Sequence, residues 1–139
     1  MKTTELIGDV YTGYLKWKGC ATGNDGCLYA VPGSWSYYSH ILKINPSNDS
    51  TELVAPELGT DKGWYGCITG PDGCIYGFPN SDSYFEILKY DPITRKSTMV
   101  RATTCNNYYF AVVGANDMIY FISAYGAILE YNPVDQSNS

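Results

Sequence analysis

Short apolar runs alternate with turn residues along the whole chain, and the apolar positions recur with a period of two. Runs such as Cys27-Leu28-Tyr29-Ala30-Val31, Ile41-Leu42-Lys43-Ile44 and Ile119-Tyr120-Phe121-Ile122 are rich in β-branched and aromatic residues. Gly, Pro, Asn or Asp punctuates them every eight to twelve positions, which is strand-and-turn patterning. No window places apolar residues at i, i+3, i+4 and i+7 over three turns, so helix is expected to be nearly absent. The pattern predicts an all-β protein.

The runs repeat. Trp17 to Pro32 is written again from Trp64 to Pro79 with ten of sixteen positions identical, and a worn third copy lies around Gly114 to Tyr120. The spacing is 47 and then 44 residues, a period typical of solenoid repeats or propeller blades. Each unit opens with a pair of strands around Gly23-Asn24-Asp25-Gly26 or Gly70-Pro71-Asp72-Gly73. Asp-Gly between apolar runs is a hairpin signal because Gly supplies the positive φ of a tight turn. A third strand follows as Ile41 to Asn45, Ile87 to Asp91 and Ile128 to Asn132, closed each time by Asx-Pro, which cannot continue a ladder. A fourth, outer strand reads Thr51-Glu52-Leu53-Val54, with a counterpart in Thr4-Glu5-Leu6-Ile7 and a weaker one in Thr98-Met99-Val100.

Four antiparallel strands per repeat is the plan of a β-propeller blade. The order Gly, Asp-Gly, Leu/Ile-Tyr, two residues and Pro, then Ile-Leu-Lys and Asx-Pro, resembles the blades of kelch-like propellers over nearly the whole chain. The double Gly of kelch repeats and the Trp-Asp of WD40 repeats are both missing, so the resemblance implies the blade and no particular subfamily.

The expected organisation is one repeat domain over residues 1–139. An outer strand at 3–8 precedes blade core 1 at about 14–46 with outer strand 50–55, blade core 2 at about 63–92 with outer strand 96–101, and blade core 3 at about 107–133. Three blades cannot close a ring without leaving broad apolar faces in water. The expectation is therefore a C2 homodimer forming one six-bladed ring, in which the displaced first strand of each chain completes the third blade of the other. The alternative is that the chain is a fragment of a longer one.

Composition constrains partners. Nine Lys and Arg stand against 14 Asp and Glu, giving a net charge of −5, and the cations are scattered. Duplex DNA or RNA is not expected as a partner, since phosphate binding rests on clustered Lys and Arg. No run of 18 apolar residues would span a membrane as a helix. Met1-Lys2-Thr3-Thr4 leads into strand sequence rather than an apolar signal segment, so a cytoplasmic location is expected, or a secreted one if a leader has been removed.

The five cysteines suggest a disulfide or a metal site only until the repeats are aligned. Cys20 and Cys67 match Ala111, and Cys27 and Cys74 match Met118, so small apolar core thiols account for these four, while Cys105 has no counterpart and lies in a connection. The six-residue spacer exceeds the zinc-ligand spacing, and no cofactor or metal is expected. His40 is the single histidine. Asp25 and Asp72 serve turns, while Glu5, Glu52 and Glu130 read as solvated strand positions or partners of nearby Lys. Propellers of the gluconolactonase or lyase type hold a metal with polar residues lining the channel. The matched strand here carries Gly19-Cys20-Ala21, Gly66-Cys67-Ile68 and Phe110-Ala111-Val112, which is apolar by comparison.

Blades differ most in the connection between second and third strands, 8 residues from Gly33 to His40, 7 from Asn80 to Glu86 and 4 from Ala124 to Ala127. The long ones carry Trp35, Tyr37, Tyr38, His40, Tyr84, Phe85 and Glu86, and the neighbouring blade-to-blade connections add Tyr11 and Asp61. Aromatic rings beside hydrogen-bonding groups suit a protein, peptide or glycan ligand; the same rings would also serve as cover for blade edges. The leading expectation is thus a non-catalytic binding scaffold. The alternatives are a channel-located, metal-dependent hydrolase or lyase, and an excised or designed set of blades with no activity.

Overall fold

The computed structural model describes residues 4–11, 17–33, 40–56, 63–79, 86–101, 108–124 and 126–134. Among these there are eleven strands and three antiparallel sheets. Strands β1 (Trp17–Thr22), β2 (Leu28–Pro32), β3 (Ile41–Asn45) and β4 (Ser50–Val54) make the first sheet in that spatial order. Strands β5 (Trp64–Thr69), β6 (Ile75–Pro79), β7 (Glu86–Asp91) and β8 (Lys96–Arg101) repeat it. Strands β9 (Tyr108–Val113), β10 (Ile119–Ser123) and β11 (Ile128–Tyr131) form a third sheet with three strands.

The hairpins form where the turn chemistry demands. Gly23 donates to the Cys27 carbonyl and Gly70 to the Cys74 carbonyl, while Gly26 and Gly73 both take φ of 83°. In the third sheet Asp117 occupies that left-handed position at φ 62°, a conformation Asp tolerates better than most residues. Register is equivalent in the three sheets: Tyr29 pairs with Ala21 and Lys43, Tyr76 with Ile68 and Lys89, and Tyr120 with Val112 and Glu130.

Because side chains alternate across a strand, each sheet sends one set of residues to each neighbour. Tyr29, Val31, Ile41 and Val54 of the first sheet meet Trp64, Ile75, Leu88 and Tyr90 of the second. The other face of the second sheet sends Tyr76, Phe78, Ile87 and Val100 against Tyr108, Ile119, Phe121 and Tyr131 of the third. Ring pairs bridge both junctions, Tyr29 with Tyr90 at 5.6 Å and Tyr76 with Tyr131 at 5.7 Å. Burying each such side chain is worth about 1.5–3 kcal/mol, so the two junctions are the core.

The first strands of the sheets come closest together. A Cβ placed on Gly19 would lie 2.6 Å from the Cα of Gly66, so β1 and β5 meet backbone to backbone. Thr69 Oγ1 donates to the Thr22 carbonyl and ties the same two strands at their far end.

Of the outer strand expected at 3–8, residues 4–8 are described: Thr4 to Ile7 pair with no described strand of the same chain and are exposed, Leu6 fully so. Each four-stranded sheet has its own outer strand, β4 or β8, whereas the third sheet ends in β11 among the described residues.

Candidate functional site

The connections expected to gather the ligand-binding aromatics lie mostly outside the described residues. Trp35, Tyr37, Tyr38, Asp61, Tyr84 and Phe85 are all among those not described. Tyr11, His40 and Glu86 are described, and each is tied to an inner-strand tryptophan or its surroundings. The Trp17 indole N–H donates to the His40 carbonyl at 3.0 Å, and the Trp64 indole N–H donates to the Glu86 carbonyl at 3.1 Å. His40 and Glu86 thus occupy the same place in successive sheets, and what they contribute there is backbone. Tyr11 stands edge-on to Trp17, with ring centroids 5.4 Å apart, and its hydroxyl contacts Thr51 Oγ1 at 3.0 Å. Tyr11 and His40 therefore share Trp17, whereas Glu86 belongs to the next sheet. His40 Nδ1 is buried with no hydrogen-bond partner among the described residues.

A constellation that sequence reading missed lies on the inner strands. Lys18, Tyr65 and Tyr109 are the second residues of β1, β5 and β9. The Lys18 ammonium sits 4.5 Å from the Tyr65 ring centroid, and the Tyr65 and Tyr109 rings meet edge to face at 4.4 Å. A cation over the negative face of one ring, with that ring against the next, forms a continuous row across three sheets. Aligning the repeats puts these residues at one position, but only the close approach of the inner strands turns position into contact. The row holds an ammonium and two phenols, groups able to exchange a proton or hold a developing anion.

At the opposite ends of the sheets the turn acids do more than shape turns. Asp25 Oδ1 accepts the Cys27 N–H, and its Oδ2 accepts the Tyr29 hydroxyl at 2.6 Å; Asp72 does the same with Cys74 and Tyr76. Lys89 lies 3.5 Å from Asp72 Oδ2. Burial pushes the Tyr29 and Tyr76 phenols up, and their charged acceptors push them further. For the Asp25 carboxyl, desolvation raises the pKa, but the Tyr29 and Cys27 hydrogen bonds and the Lys43 charge together outweigh it and leave the group below the usual carboxylate range.

The third sheet reassigns this charge. Asn116 replaces the turn Asp and donates to the Tyr120 hydroxyl at 2.8 Å, while Tyr120 donates to Glu130 at 2.8 Å. Glu130 was expected to be solvated or paired with Lys; its partner is a tyrosine, because Glu130 stands where Lys43 and Lys89 stand in the other sheets. Glu52 is paired with Arg95 of the second sheet.

The four described cysteines are free thiols. Burial pushes Cys67 and Cys74 up to about 12, which keeps them protonated and unreactive near neutral pH. Among the described residues no group of three or more His, Cys, Asp or Glu is placed to hold a metal ion. No described helix is long and apolar enough to cross a membrane.

No protein-family model matches the chain, and no curated protein matches it. Solved structures do. Virginiamycin B lyase from Staphylococcus aureus superposes with a TM-score of 0.65 over 93% of this chain and 45% of that one, at 14% identity. The fold is propeller-like. Hydrazine synthase from Kuenenia stuttgartiensis matches with a TM-score of 0.58 over 76% of this chain and 29% of that one, also at 14% identity. The chain thus spans less than half the length of each. The likeness to virginiamycin B lyase corrects one expectation: the reading as a non-catalytic binding scaffold gives way, since this structure of the same fold is an enzyme.

Proposed function

We propose that the chain supplies three kelch-like blades to a six-bladed ring made by two copies, and that this ring is a lyase-type enzyme acting at its axis. The observation that carries the catalytic reading is the likeness to virginiamycin B lyase over 93% of the chain. A propeller fold by itself hosts many activities, so the chemistry rests on the residues at the inner strands. Lys18, Tyr65 and Tyr109, a cation on one ring with a second ring against it, are the candidate acid and base there.

A lyase step removes a proton from one carbon while the bond from the adjacent carbon to its leaving group breaks. A double bond forms between the two carbons, and a proton is delivered to the departing group. One base and one acid are sufficient, and a lysine–phenol row supplies both types. Lys18, as the free amine, would take the proton from carbon, and the Tyr109 phenol would give its own proton to the leaving oxygen.

The test is incubation of the purified protein with virginiamycin B and with simple β-substituted esters, followed by mass spectrometry. Elimination yields products whose masses sum to that of the substrate, together with a new conjugated absorbance. Hydrolysis adds the mass of one water and would replace the lyase reading with a hydrolase. Absence of turnover on every substrate would overturn the enzyme reading. If elimination occurs, Lys18→Ala or Tyr109→Phe should lower kcat by about 10²–10⁴-fold, the usual contribution of acid–base catalysis.

A further inference from the structure

We propose that residues 4–7 of one copy form the fourth strand of the third sheet in a second copy, so that two chains close the ring by reciprocal strand donation. This rests on the two-copy ring proposed above and specifies how its junctions are made.

The first observation is an unfilled edge and an unpaired strand sequence in the same molecule. The first and second sheets end in β4 and β8, whereas among the described residues nothing pairs with the outer edge of β11. Thr4-Glu5-Leu6-Ile7 repeats the Thr51-Glu52-Leu53-Val54 of β4. The backbone also repeats: Gly8 and Ala55, the residues that follow, both take the left-handed conformation, at φ 72° and 58°. The chain therefore leaves residues 4–7 in the way it leaves β4, yet Leu6 is 102% exposed and Ile7 43%, against 3% for Val54.

The second observation is where the segment is moored. The Asp9 N–H reaches Thr51 Oγ1 at 3.4 Å, and the Tyr11 hydroxyl contacts the same oxygen. Val54 faces the second sheet, so Thr51, an odd number of positions away, lies on the opposite face of the first sheet. The segment is held on the side where a preceding blade would stand.

The third observation is that the two open faces are halves of one junction. Ile128 and Ile122 of the third sheet are 67% and 37% exposed, while Ile87 and Phe78, their equivalents in the second sheet, are 1% and 6% exposed under the third. The face of the first sheet turned away from the second carries half-buried Leu28, Leu42, Ile44 and Leu53 in the register of Ile75, Leu88, Tyr90 and Met99, which cover the first sheet from the second. Among the described residues, the third-sheet face whose equivalent in the second sheet is buried is left exposed, and the matching face of the first sheet is only half-buried. A second copy supplies the matching face at both.

Transfer of the β3–β4 register sets Ile7 beside Ile128, Leu6 beside Leu129, Glu5 beside Glu130 and Thr4 beside Tyr131. Glu5 then opposes Glu130 where Glu52 opposes Lys43, so this carboxylate pair is the weak point of the junction.

The test uses the full chain. Glu5→Cys with Glu130→Cys is oxidised mildly, beside the parent chain as control, and read by non-reducing electrophoresis and sedimentation. A dimer that becomes covalent only in the double variant is expected. Leu6→Asp should raise the dissociation constant at least tenfold while leaving the far-ultraviolet spectrum unchanged, because Leu6 is fully exposed in a single chain. A dimer that neither crosslinks at these positions nor responds to Leu6→Asp would overturn strand donation and leave the two-copy ring standing. An intramolecular bond, or a parent chain that stays monomeric, would overturn both.

Discussion

Exchanging the charges at Asp72 and Lys89 should convert the second sheet to the wiring of the third. Asp72→Asn keeps an acceptor for the Cys74 N–H, as Asn116 keeps one for the Met118 N–H at 3.2 Å. It removes the carboxylate from the hydroxyl of Tyr76, a ring with no exposed surface. A hydrogen bond to a charged group contributes about 1.5–3 kcal/mol, and the partly screened Lys89 ion pair adds less than about 1 kcal/mol. The single change should therefore cost about 2–3 kcal/mol. Lys89→Glu alone sets two carboxylates together and should cost about 1 kcal/mol. Combined, they recreate the Asn116–Tyr120–Glu130 arrangement, in which the phenol accepts from an amide and donates to a carboxylate. Most of the loss should be recovered, a coupling of about 2 kcal/mol. Urea unfolding of the four proteins at one fixed concentration measures it. If the two single effects simply add to within about 0.5 kcal/mol, the tyrosine is not the shared partner and the reasoning fails.

The hydroxyl of Tyr131 is buried without a hydrogen-bond partner among the described residues, so Tyr131→Phe should leave stability unchanged or raise it by about 1 kcal/mol; a loss in chemical denaturation would reveal a hidden partner. The Asp25 carboxyl is held below its ordinary value of 3.8. Its contribution is then complete above that value and is lost as the pH falls through the lower folded one, so the parent's advantage over Asp25→Asn in thermal unfolding should shrink below about pH 4; a constant gap would contradict this. Glu5→Lys should tighten the dimer a few-fold at low salt and lose that gain in high salt, since like charges across a strand pair oppose by about 0.2–1 kcal/mol; weaker association would contradict the proposed register.

What could be read along the chain was whatever a repeat encodes locally. Asp25-Gly26 and Asp72-Gly73 fixed the hairpins, and the Asx-Pro steps ended the third strands at Asn45 and Asp91. Thr4 to Ile7 show strand character in their letters, a local property, while the edge they pair with is a matter of topology, and no described strand of the same chain takes them. His40 and Glu86 stood out for their side chains, and the structure adds that their carbonyls hold Trp17 and Trp64. Any residue at those positions offers a carbonyl, so nothing in the letters points to it. The row of Lys18, Tyr65 and Tyr109 depends on how closely neighbouring sheets approach, a distance that becomes visible only when Gly19 and Gly66 are seen in contact. Functional expectation settled on the aromatic connections because sequence differences concentrate there, and most of those residues lie outside the described ones.

The molar mass of the chain in solution, measured by sedimentation equilibrium across the micromolar range, tests the central claim most directly. The two-copy ring predicts twice the 15.4 kDa of one chain, with dissociation only on dilution. A single species of 15.4 kDa, folded and stable throughout that range, would contradict it.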